Sequence, residues 1–576
     1  MLKPQANAHR EVISLDGTWN FALASSTEPD EEAAWKGKLP SKLQVPVPAS
    51  YNDIFLESHI RNHMGWVYYQ RHATVPKMWA GRRYILRLDA ATHRGRVYVN
   101  NQFVTEHVGD YMPFEAGLTE VVSPGQKFCL TVAVSNELGW HTIPPGRIET
   151  VNGKRKQHYQ HDFFNYPGLA RSVWLYCVPK EYINDLTVVT DVTNDGKSGS
   201  VHFQVGTNQS SKDLQVVVSL LDEDDNVVGR SQGQQGQLAV ESVHLCNQGP
   251  HISTSCGSNS STTKAPSQIH TSYPSESDPF KVFINNKSFY FTGFGKHEDT
   301  AIRGKGHDAA YMIHDFELMK WTGANSFRTA HYPYAEEVLE YADRHGVVVI
   351  DETAAVGLNL SIVAGLHGGR KTPTFSPDTI SDATRANHEQ AIRELVARDK
   401  NHPSVVMWAV ANEPAAREYF EPLMALARRL NPTRPLCYAN EYQASVDKCL
   451  ISDLFDAAEQ GLEKELLDWE DKFRKHIIRS EYGADTLAGL HTIGDVPWSE
   501  EYQSRVLEMS HRVFDRVDSV VGEHVWNFAD FQTPSSFIFW VDGNKKGVFT
   551  RDRRPKMAAH VLRKRWTEQK PKEHTP

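Results

Sequence analysis

Cysteine is scarce in this sequence, with six residues in a chain of 576. No two of them form a Cys-x-x-Cys pair. Disulfide frameworks and structural zinc sites need numerous or closely spaced cysteines, so this scarcity argues against both. We therefore predict free thiols in a reducing compartment and no metal ligands among the cysteines.

Long apolar runs and an excess of basic charge are absent as well. No stretch of roughly 18 apolar residues occurs, so no membrane span is predicted. The first 21 residues lack the apolar core of a secretory signal, so we expect a cytoplasmic location. The chain carries 62 basic and 71 acidic residues, a net charge of −9, whereas a general nucleic-acid binder has a basic excess. Neither a membrane nor a nucleic acid is an expected partner.

Aromatic residues, by contrast, are abundant. The chain has 13 Trp, 21 Tyr and 25 Phe. Such a supply suits β-rich modules and sites where sugars stack on rings. The length predicts two to four domains, because one domain commonly takes about 150 residues.

The front of the chain is rich in strand patterns. Residues 1–180 alternate apolar and polar positions between Gly, Pro and Asn turns, which is typical of an all-β sandwich. Residues 181–282 begin in the same way and predict a second sandwich. A Ser/Thr/Pro-rich tract at 246–279 interrupts it, and this composition cannot bury a strand face. We therefore expect the second sandwich to be incomplete.

The pattern changes in residues 283–576. Short apolar runs that look buried on both faces alternate with amphipathic helices, which indicates a parallel sheet. Seven or eight such repeats favour a (β/α)8 TIM barrel over a doubly wound sheet. The candidate sixth strand, residues 450–456, runs directly into a helical pattern with no loop between them. The whole chain is thus predicted to combine two β-sandwiches with a C-terminal barrel.

Catalytic side chains of barrel enzymes lie where the strands end. The predicted strand ends carry His297, Glu298, Arg328, His331, Asp351, Glu352, Asn412, Glu413, Glu481, Tyr482, Trp526 and Asn527. Two of these residues, Glu413 and Glu481, follow predicted strands four and seven. Paired carboxyls across a barrel mouth suit glycoside hydrolysis, in which one protonates the leaving oxygen and the other attacks the anomeric carbon or activates water. The alternative is that these glutamates are solvated or form salt bridges with Arg328.

Several segments carry a family resemblance. The motifs are WAVANEP, IIRSEYGAD, WNFADF, TGFGKHED, GANSFRTAHYPYAEE and VDGNKKGVFTRDRRPK in the barrel, with SLDGTWNF, VPVPASYNDIF, GWVYYQR and YQHDFFNYPGLARSVWLY at the front. Together they resemble glycoside hydrolase family 2, most closely its β-glucuronidases and among these the fungal enzymes. The resemblance covers nearly the whole chain.

The resemblance implies a fold, an activity and a set of residues. It implies a jelly-roll sugar-binding domain, an immunoglobulin-like sandwich and the barrel, with retaining hydrolysis of terminal β-D-glucuronides and no cofactor. It also implies a homo-oligomer, a tetramer in the family. Glu413 matches the general acid/base and Glu481 the nucleophile. The substrate-binding positions that match are Asp162, His297, Asn412, Trp526, Asn544 and Lys546. Of these, Asn412 would contact the sugar 2-hydroxyl, and Asn544 and Lys546 would bind the C6 carboxylate. The alternatives are a buried structural role for His297 and a solvent-facing basic loop for Asn544 and Lys546.

Four departures from the family pattern keep other interpretations open. They are the tract at 246–279, a missing segment after residue 456, Trp540 where relatives have Arg, and Asp110 where relatives have Gly. Two alternative interpretations are a β-galactosidase or β-mannosidase of the same family, and a catalytically impaired sugar-binding relic. A further hypothesis is that some departures are errors of gene prediction.

Overall fold

A computed structural model provides the structure of the protein. The residues it describes are 2–26, 28–29, 35–109, 111–192, 198–209, 215–222, 226–241, 253–254, 263–264, 269–272, 281–284, 287–357, 379–412, 417–439, 455–534, 542–569 and 571.

The first part of the chain is a sandwich of two antiparallel sheets. Its strands are β1 (Val12–Ser14), β2 (Gly17–Leu23), β3 (Leu43–Val47), β4 (Trp66–Thr74), β5 (Arg83–Leu88), β6 (Arg94–Val99), β7 (Gln102–Val108), β8 (Phe114–Gly117), β9 (Lys127–Ser135), β10 (Gly146–Val151), β11 (Lys154–Tyr159) and β12 (Val173–Val178). One sheet has the order β1-β12-β5-β8 and the other β3-β2-β4-β9-β6-β7, while β10 and β11 form a separate hairpin. A short helix, α1 (Ser58–Arg61), and a 3-10 turn at Lys77–Trp79 connect the strands. Inward-facing residues such as Trp19, Phe21 and Leu130 are fully buried between the sheets.

The second part consists of shorter sheets. Its strands are β13 (Ile183–Val192), β14 (Gly199–Thr207), β15 (Val217–Leu221), β16 (Val227–Gln232), β17 (Gln235–Val240), β18 (Ser253–Thr254), β19 (Thr263–Lys264), β20 (Ile269–Ser272), β21 (Lys281–Ile284) and β22 (Lys287–Phe289). Strands β13, β14 and β17 form one sheet and pack on the β15–β16 hairpin around a small apolar cluster that includes Leu186, Phe203 and Leu238. Most of the tract at 246–279 lies outside the described residues.

The third part is built from parallel strands and helices. The strands are β23 (Phe291–Lys296), β24 (Ser326–Thr329), β25 (Val348–Glu352), β26 (Val405–Asn412), β27 (Leu436–Ala439), β28 (Ile477–Arg479) and β29 (Val520–Val525). The helices are α2 (Ala309–Thr322), α3 (Glu336–His345), α4 (Asp382–Asp399), α5 (Arg417–Leu430), α6 (Phe455–Phe473), α7 (Glu500–Arg516) and α8 (Met557–Arg563), and a π-helical turn at Lys564–Gln569 follows α8. None of the helices in the described ranges combines the length and apolar character that a membrane crossing requires.

Local chemistry sets the helix ends. The Asp308 side chain accepts hydrogen bonds from the amides of Ala310 and Tyr311, at 3.0 and 3.2 Å, and so caps the start of α2. Gly323 follows α2 with a φ of 85°, a left-handed conformation that glycine adopts without steric cost. The order of the elements in this part, in which strands and helices alternate, confirms the alternation that the sequence predicts.

The seven parallel strands form one sheet in the order β27-β26-β25-β24-β23-β29-β28. In a (β/α)8 barrel, this order corresponds to strands five, four, three, two and one, followed by strands eight and seven. The predicted sixth strand was wrong at its end, because Phe455 and Asp456 begin helix α6, and its remaining residues lie outside the described chain. Within the described residues, β27 and β28 each pair with one neighbour and leave the position of a sixth strand between them.

Buried ion pairs join the sandwich to the barrel. Arg87 on β5 binds Glu336 at the start of α3 across 2.6 Å, and Arg87 is fully buried. Arg171 donates to Glu298, which follows β23. The carbonyl of Gln532 accepts a hydrogen bond of 2.8 Å from the amide of Phe164. These contacts fix the sandwich loop at 160–172 against the barrel.

Candidate active site

Polar side chains collect at the carboxyl edge of the parallel sheet. Arg328 lies in β24, Glu352 ends β25 and Asn412 ends β26. Glu481 stands two residues beyond β28, and Trp526 directly follows β29. Parallel strands bring their carboxyl ends to one edge, so residues far apart in the chain meet there.

Arg328 is the centre of this group and is fully buried, with 2% of its surface exposed. Its Nη1 donates to Glu352 Oε2 at 2.9 Å and approaches Asn412 Oδ1 at 3.4 Å. Its Nη2 donates to Glu481 Oε1. One guanidinium therefore orients two carboxylates and an amide, which is the recognition geometry for which Arg is suited.

His331 fills the space between the same groups. Its Nδ1 lies 3.4 Å from Glu352 Oε1, and its Nε2 lies 3.8 Å from Glu481 Oε1 and 3.4 Å from the Asn412 amide nitrogen. The imidazole stacks on Trp526, with ring centroids 4.9 Å apart. The two carboxylates thus face one permanent cation and one titratable ring.

Glu481 does form a salt bridge with Arg328, as the alternative interpretation of the rim glutamates required. The pair is asymmetric, however, because 16% of the Glu481 side chain is exposed while only 2% of Arg328 is. Glu352, in contrast, is completely buried. Glu481 is therefore the carboxylate of this cluster that a molecule at the barrel mouth can reach.

The sandwich contributes Asp162 to the same region. Its Oδ2 lies 3.5 Å from Asn544 Nδ2, and its Oδ1 accepts no hydrogen bond within the described ranges. Burial raises the pKa of the Asp162 carboxyl to about 6, and the nearby charge of Glu481 adds to the rise, while His331 and Lys546 oppose it. Asp162 therefore lies within electrostatic range of both Glu481 and Lys546.

The raised pKa of Asp162 makes a prediction about stability. Since the folded protein holds this proton up to a pKa of about 6, whereas the ordinary value is 3.8, Asp162 should destabilise the fold increasingly as pH rises from 4 to 7. Over this pH range, the free energy of unfolding of the wild type should fall by up to roughly 3 kcal/mol relative to that of Asp162→Asn. Thermal and denaturant unfolding at a series of pH values measures the difference. Asp518→Asn, at an exposed position, is the control. A constant difference between wild type and Asp162→Asn would contradict the assignment.

Asn544 and Lys546 lie on a loop that precedes α8. Asn544 is 1% exposed, and its Oδ1 accepts a hydrogen bond of 3.0 Å from the Lys546 amide. The alternative of a solvent-facing loop is thus wrong for Asn544, because this residue packs against Asp162 instead. Lys546 is half-buried. The loop brings a cation and an amide to the side of the site where Asp162 lies.

His297 and Trp526 belong to an aromatic wall. The His297 ring lies 5.3 Å from Trp526 and 4.2 Å from Phe531, measured between centroids, and its Nδ1 lies 3.3 Å from the Tyr332 hydroxyl. Burial lowers the pKa of His297 well below its usual value, so the ring is neutral. Its Nε2 is buried and has no hydrogen-bond partner among the described residues.

Three of the predicted rim residues have other roles. Glu298 binds Arg171 and accepts from the Ala335 amide at 3.2 Å. Asp351 accepts from the Thr329 hydroxyl at 3.1 Å, and the Tyr482 hydroxyl contacts His511 Nε2 at 3.0 Å. The first of these residues joins the sandwich to the barrel, and the contacts of the other two lie within the barrel. Glu413, Trp540 and Asp110 lie outside the described residues.

The sequence predicts no role for two buried residues at the site. Lys556 and Gln503 donate hydrogen bonds to backbone carbonyls of the loop that carries Lys546. Lys556 follows a basic run and Gln503 lies within helix α7, so their roles become apparent only from their tertiary contacts. In the part of the chain that the structure describes, no three His, Cys, Asp or Glu side chains are grouped as a metal site requires.

Comparisons with known proteins give two family matches. The model described as "Glycosyl hydrolases family 2, sugar binding domain" matches residues 12–179. The model described as "Glycosyl hydrolases family 2, TIM barrel domain" matches residues 278–570.

Similar proteins cover the chain from end to end. A β-glucuronidase of Paenibacillus borealis is 41% identical, and the alignment covers 99% of each chain. The structure of a β-glucuronidase from an uncultured Clostridium species is 40% identical with a TM-score of 0.88, over 98% of this chain and 99% of that one. The Ruminococcus gnavus β-glucuronidase in complex with uronic isofagomine is 34% identical with a TM-score of 0.89, over 98% of this chain and 99% of the other. The protein described above belongs to glycosyl hydrolase family 2.

Proposed function

We propose that this protein is a β-glucuronidase that hydrolyses terminal β-D-glucuronides with retention of configuration. Glu481 attacks the anomeric carbon and Glu413 protonates the leaving oxygen, which releases the aglycone and leaves a glycosyl–Glu481 ester. Glu413 then takes a proton from water, whose oxygen displaces Glu481 and yields glucuronic acid. Neither step needs a metal or an organic cofactor.

The observation that carries the proposal is the way two domains converge beside Glu481. Asp162 from the sandwich and Asn544 from the barrel lie 3.5 Å apart, and Lys546 lies within electrostatic range of Asp162. A uronic acid carries hydroxyls and a carboxylate, and this site combines a hydroxyl acceptor, an amide and a cation. Asn412, which contacts Arg328, binds the 2-hydroxyl in this proposal. His297 and Trp526 form the apolar wall on which the sugar ring packs.

The similar proteins support the substrate class. Those compared above are named β-glucuronidases, and one of them was solved with a uronic sugar analogue. Assays of aryl β-glucuronide, β-galactoside and β-mannoside in parallel test the proposal. Glucuronide turnover supports it, turnover of another sugar selects a different specificity, and sugar binding without turnover selects the impaired relic. NMR of the first-formed product distinguishes retention from inversion.

Lys546→Ala should weaken recognition of the C6 carboxylate. Hydrogen bonds to a charged group contribute roughly 1.5–3 kcal/mol, so KM for an aryl β-glucuronide should rise roughly 10- to 150-fold. KM for an aryl β-glucoside, which has a hydroxymethyl group at C6, should change little. Steady-state kinetics on the two substrates measures this contrast. An equal rise of KM for both substrates would show that Lys546 does not bind the carboxylate.

We also propose that the protein acts in the cytoplasm as a homo-oligomer. Cys129, Cys177 and Cys437 are free thiols, which suits a reducing compartment. The tetramer is proposed from the family resemblance alone. Cell fractionation tests the location, and light scattering of the purified protein tests the assembly.

A further inference from the structure

The loop from Asn544 to Val548, here called the 544–548 loop, contains no regular strand, yet buried donors satisfy its carbonyls. The Lys545 carbonyl accepts from the Thr486 amide at 3.1 Å and from Lys556 Nζ at 2.9 Å. The Lys546 carbonyl accepts from the Asn527 amide at 3.1 Å and from the Gln503 side chain at 3.2 Å. The loop is therefore held largely through its backbone.

Lys556 is an unusual donor because it is 1% exposed. Its ammonium donates to the Thr486 carbonyl at 2.9 Å, to Asp530 Oδ1 at 2.8 Å and to the Lys545 carbonyl. The three donors of the ammonium are thus all used. They connect the segment after Glu481, the segment after Trp526 and the 544–548 loop.

Gln503 holds the other side of the loop from helix α7. Its Nε2 donates to the carbonyls of Ala484 at 3.0 Å, Lys546 at 3.2 Å and Gly547 at 3.3 Å. Gln503 is 1% exposed, and its Oε1 accepts no hydrogen bond within the described ranges. The amide therefore acts as a donor to the loop and to the segment that follows Glu481.

We propose that Lys556 and Gln503 are positioning residues that set the preference for a C6 carboxylate by fixing Asn544 and Lys546 relative to Glu481. This inference rests on the proposed function. The link is direct, because the Lys546 amide donates to Asn544 Oδ1 and the same peptide segment is held by both donors. A carboxylate ligand needs both groups in one geometry, and small displacements of a binding group are costly.

Lys556→Met and Gln503→Met test the proposal. Each removes the donors with little change in size. We expect KM for an aryl β-glucuronide to rise roughly 10- to 100-fold while kcat changes less than about threefold, because ground-state recognition is lost. Lys564→Met, at an exposed position just after α8, is the control and should match the wild type. Lys556→Arg retains a cation that can donate to the carbonyls and should recover part of the loss.

Combination with Lys546→Ala separates positioning from general stabilisation. If Lys556 acts through Lys546, Lys556→Met should raise KM by less than about twofold further in the Lys546→Ala background. The proposal would be overturned if Lys556→Met raised KM by the same factor in the wild type and in Lys546→Ala. An unchanged KM in both Lys556→Met and Gln503→Met would also overturn it. If Lys556→Met does not fold, as judged by thermal unfolding, Gln503→Met and its combination with Lys546→Ala decide by the same criteria. A wild type that does not cleave glucuronides would contradict the proposed function instead.

Discussion

Glu481→Gln should reduce kcat for an aryl β-glucuronide by roughly 10³-fold or more, because the amide is too weak a nucleophile to form the ester intermediate. The substitution preserves the shape of the side chain, and Arg328 and the amide oxygen can remain in contact. Circular dichroism and thermal unfolding should therefore show a folded protein. Steady-state kinetics with a 4-nitrophenyl glucuronide measures the loss of turnover.

Glu465→Gln is the matched control for this substitution. Its side chain has the same 16% exposure as Glu481 and also lies near an arginine, Arg479, at 3.7 Å. Full activity in Glu465→Gln and residual activity below about 0.1% in Glu481→Gln is the expected result. If Glu481→Gln keeps a tenth or more of the wild-type rate, the nucleophile is another residue.

Replacing Arg328 by Met should harm both stability and activity. Glu352, fully buried, would lose its partner at 2.9 Å, and breaking a buried ion pair on one side costs roughly 3–5 kcal/mol. Glu481 and Asn412 would lose the guanidinium that orients them. We therefore expect a lower unfolding temperature and a kcat reduced by roughly 100-fold or more. Differential scanning calorimetry and kinetics at a temperature well below unfolding measure the two effects.

A second substitution separates these effects. Adding Glu352→Gln to Arg328→Met removes the unpaired buried charge, so stability should recover partly while activity stays low. If activity recovers together with stability, Arg328 contributes to the fold and not to catalysis. No recovery of stability would show that the Glu352 charge is not the cause of the loss.

The barrel and the position of the site were predictable from sequence because their signals are local. Doubly buried strands such as 405–412 read as apolar runs, and polar residues at their ends mark the carboxyl edge. The burial of Glu352 against Arg328 could not be predicted in this way, since the sequence shows only that both residues lie near strand ends. Which carboxylate is exposed depends on packing between strands.

The contribution of the sandwich to the site is a long-range feature. Asp162 and Asn544 are 382 positions apart, and no periodicity or spacing relates them. The family resemblance predicted that both lie at the site. Lys556 closes one of the family motifs, but the motif assigned it no role, and Gln503 lies in none of them. Most of their partners are backbone carbonyls whose positions arise from the tertiary fold. The assignment of Glu413 stays a prediction.

The buried ion pairs between the sandwich and the barrel have a consequence for the entropy of binding. Arg87 and Glu336 are held together in the free protein, as are Arg171 and Glu298. The conformational entropy lost in bringing Asp162 against Asn544 is therefore incurred once, during folding, and not at each binding event at the proposed site. A ligand of the proposed site therefore meets two parts of the chain that are already in contact. The affinity of the proposed site then contains no entropy cost for bringing Asp162 and Asn544 together.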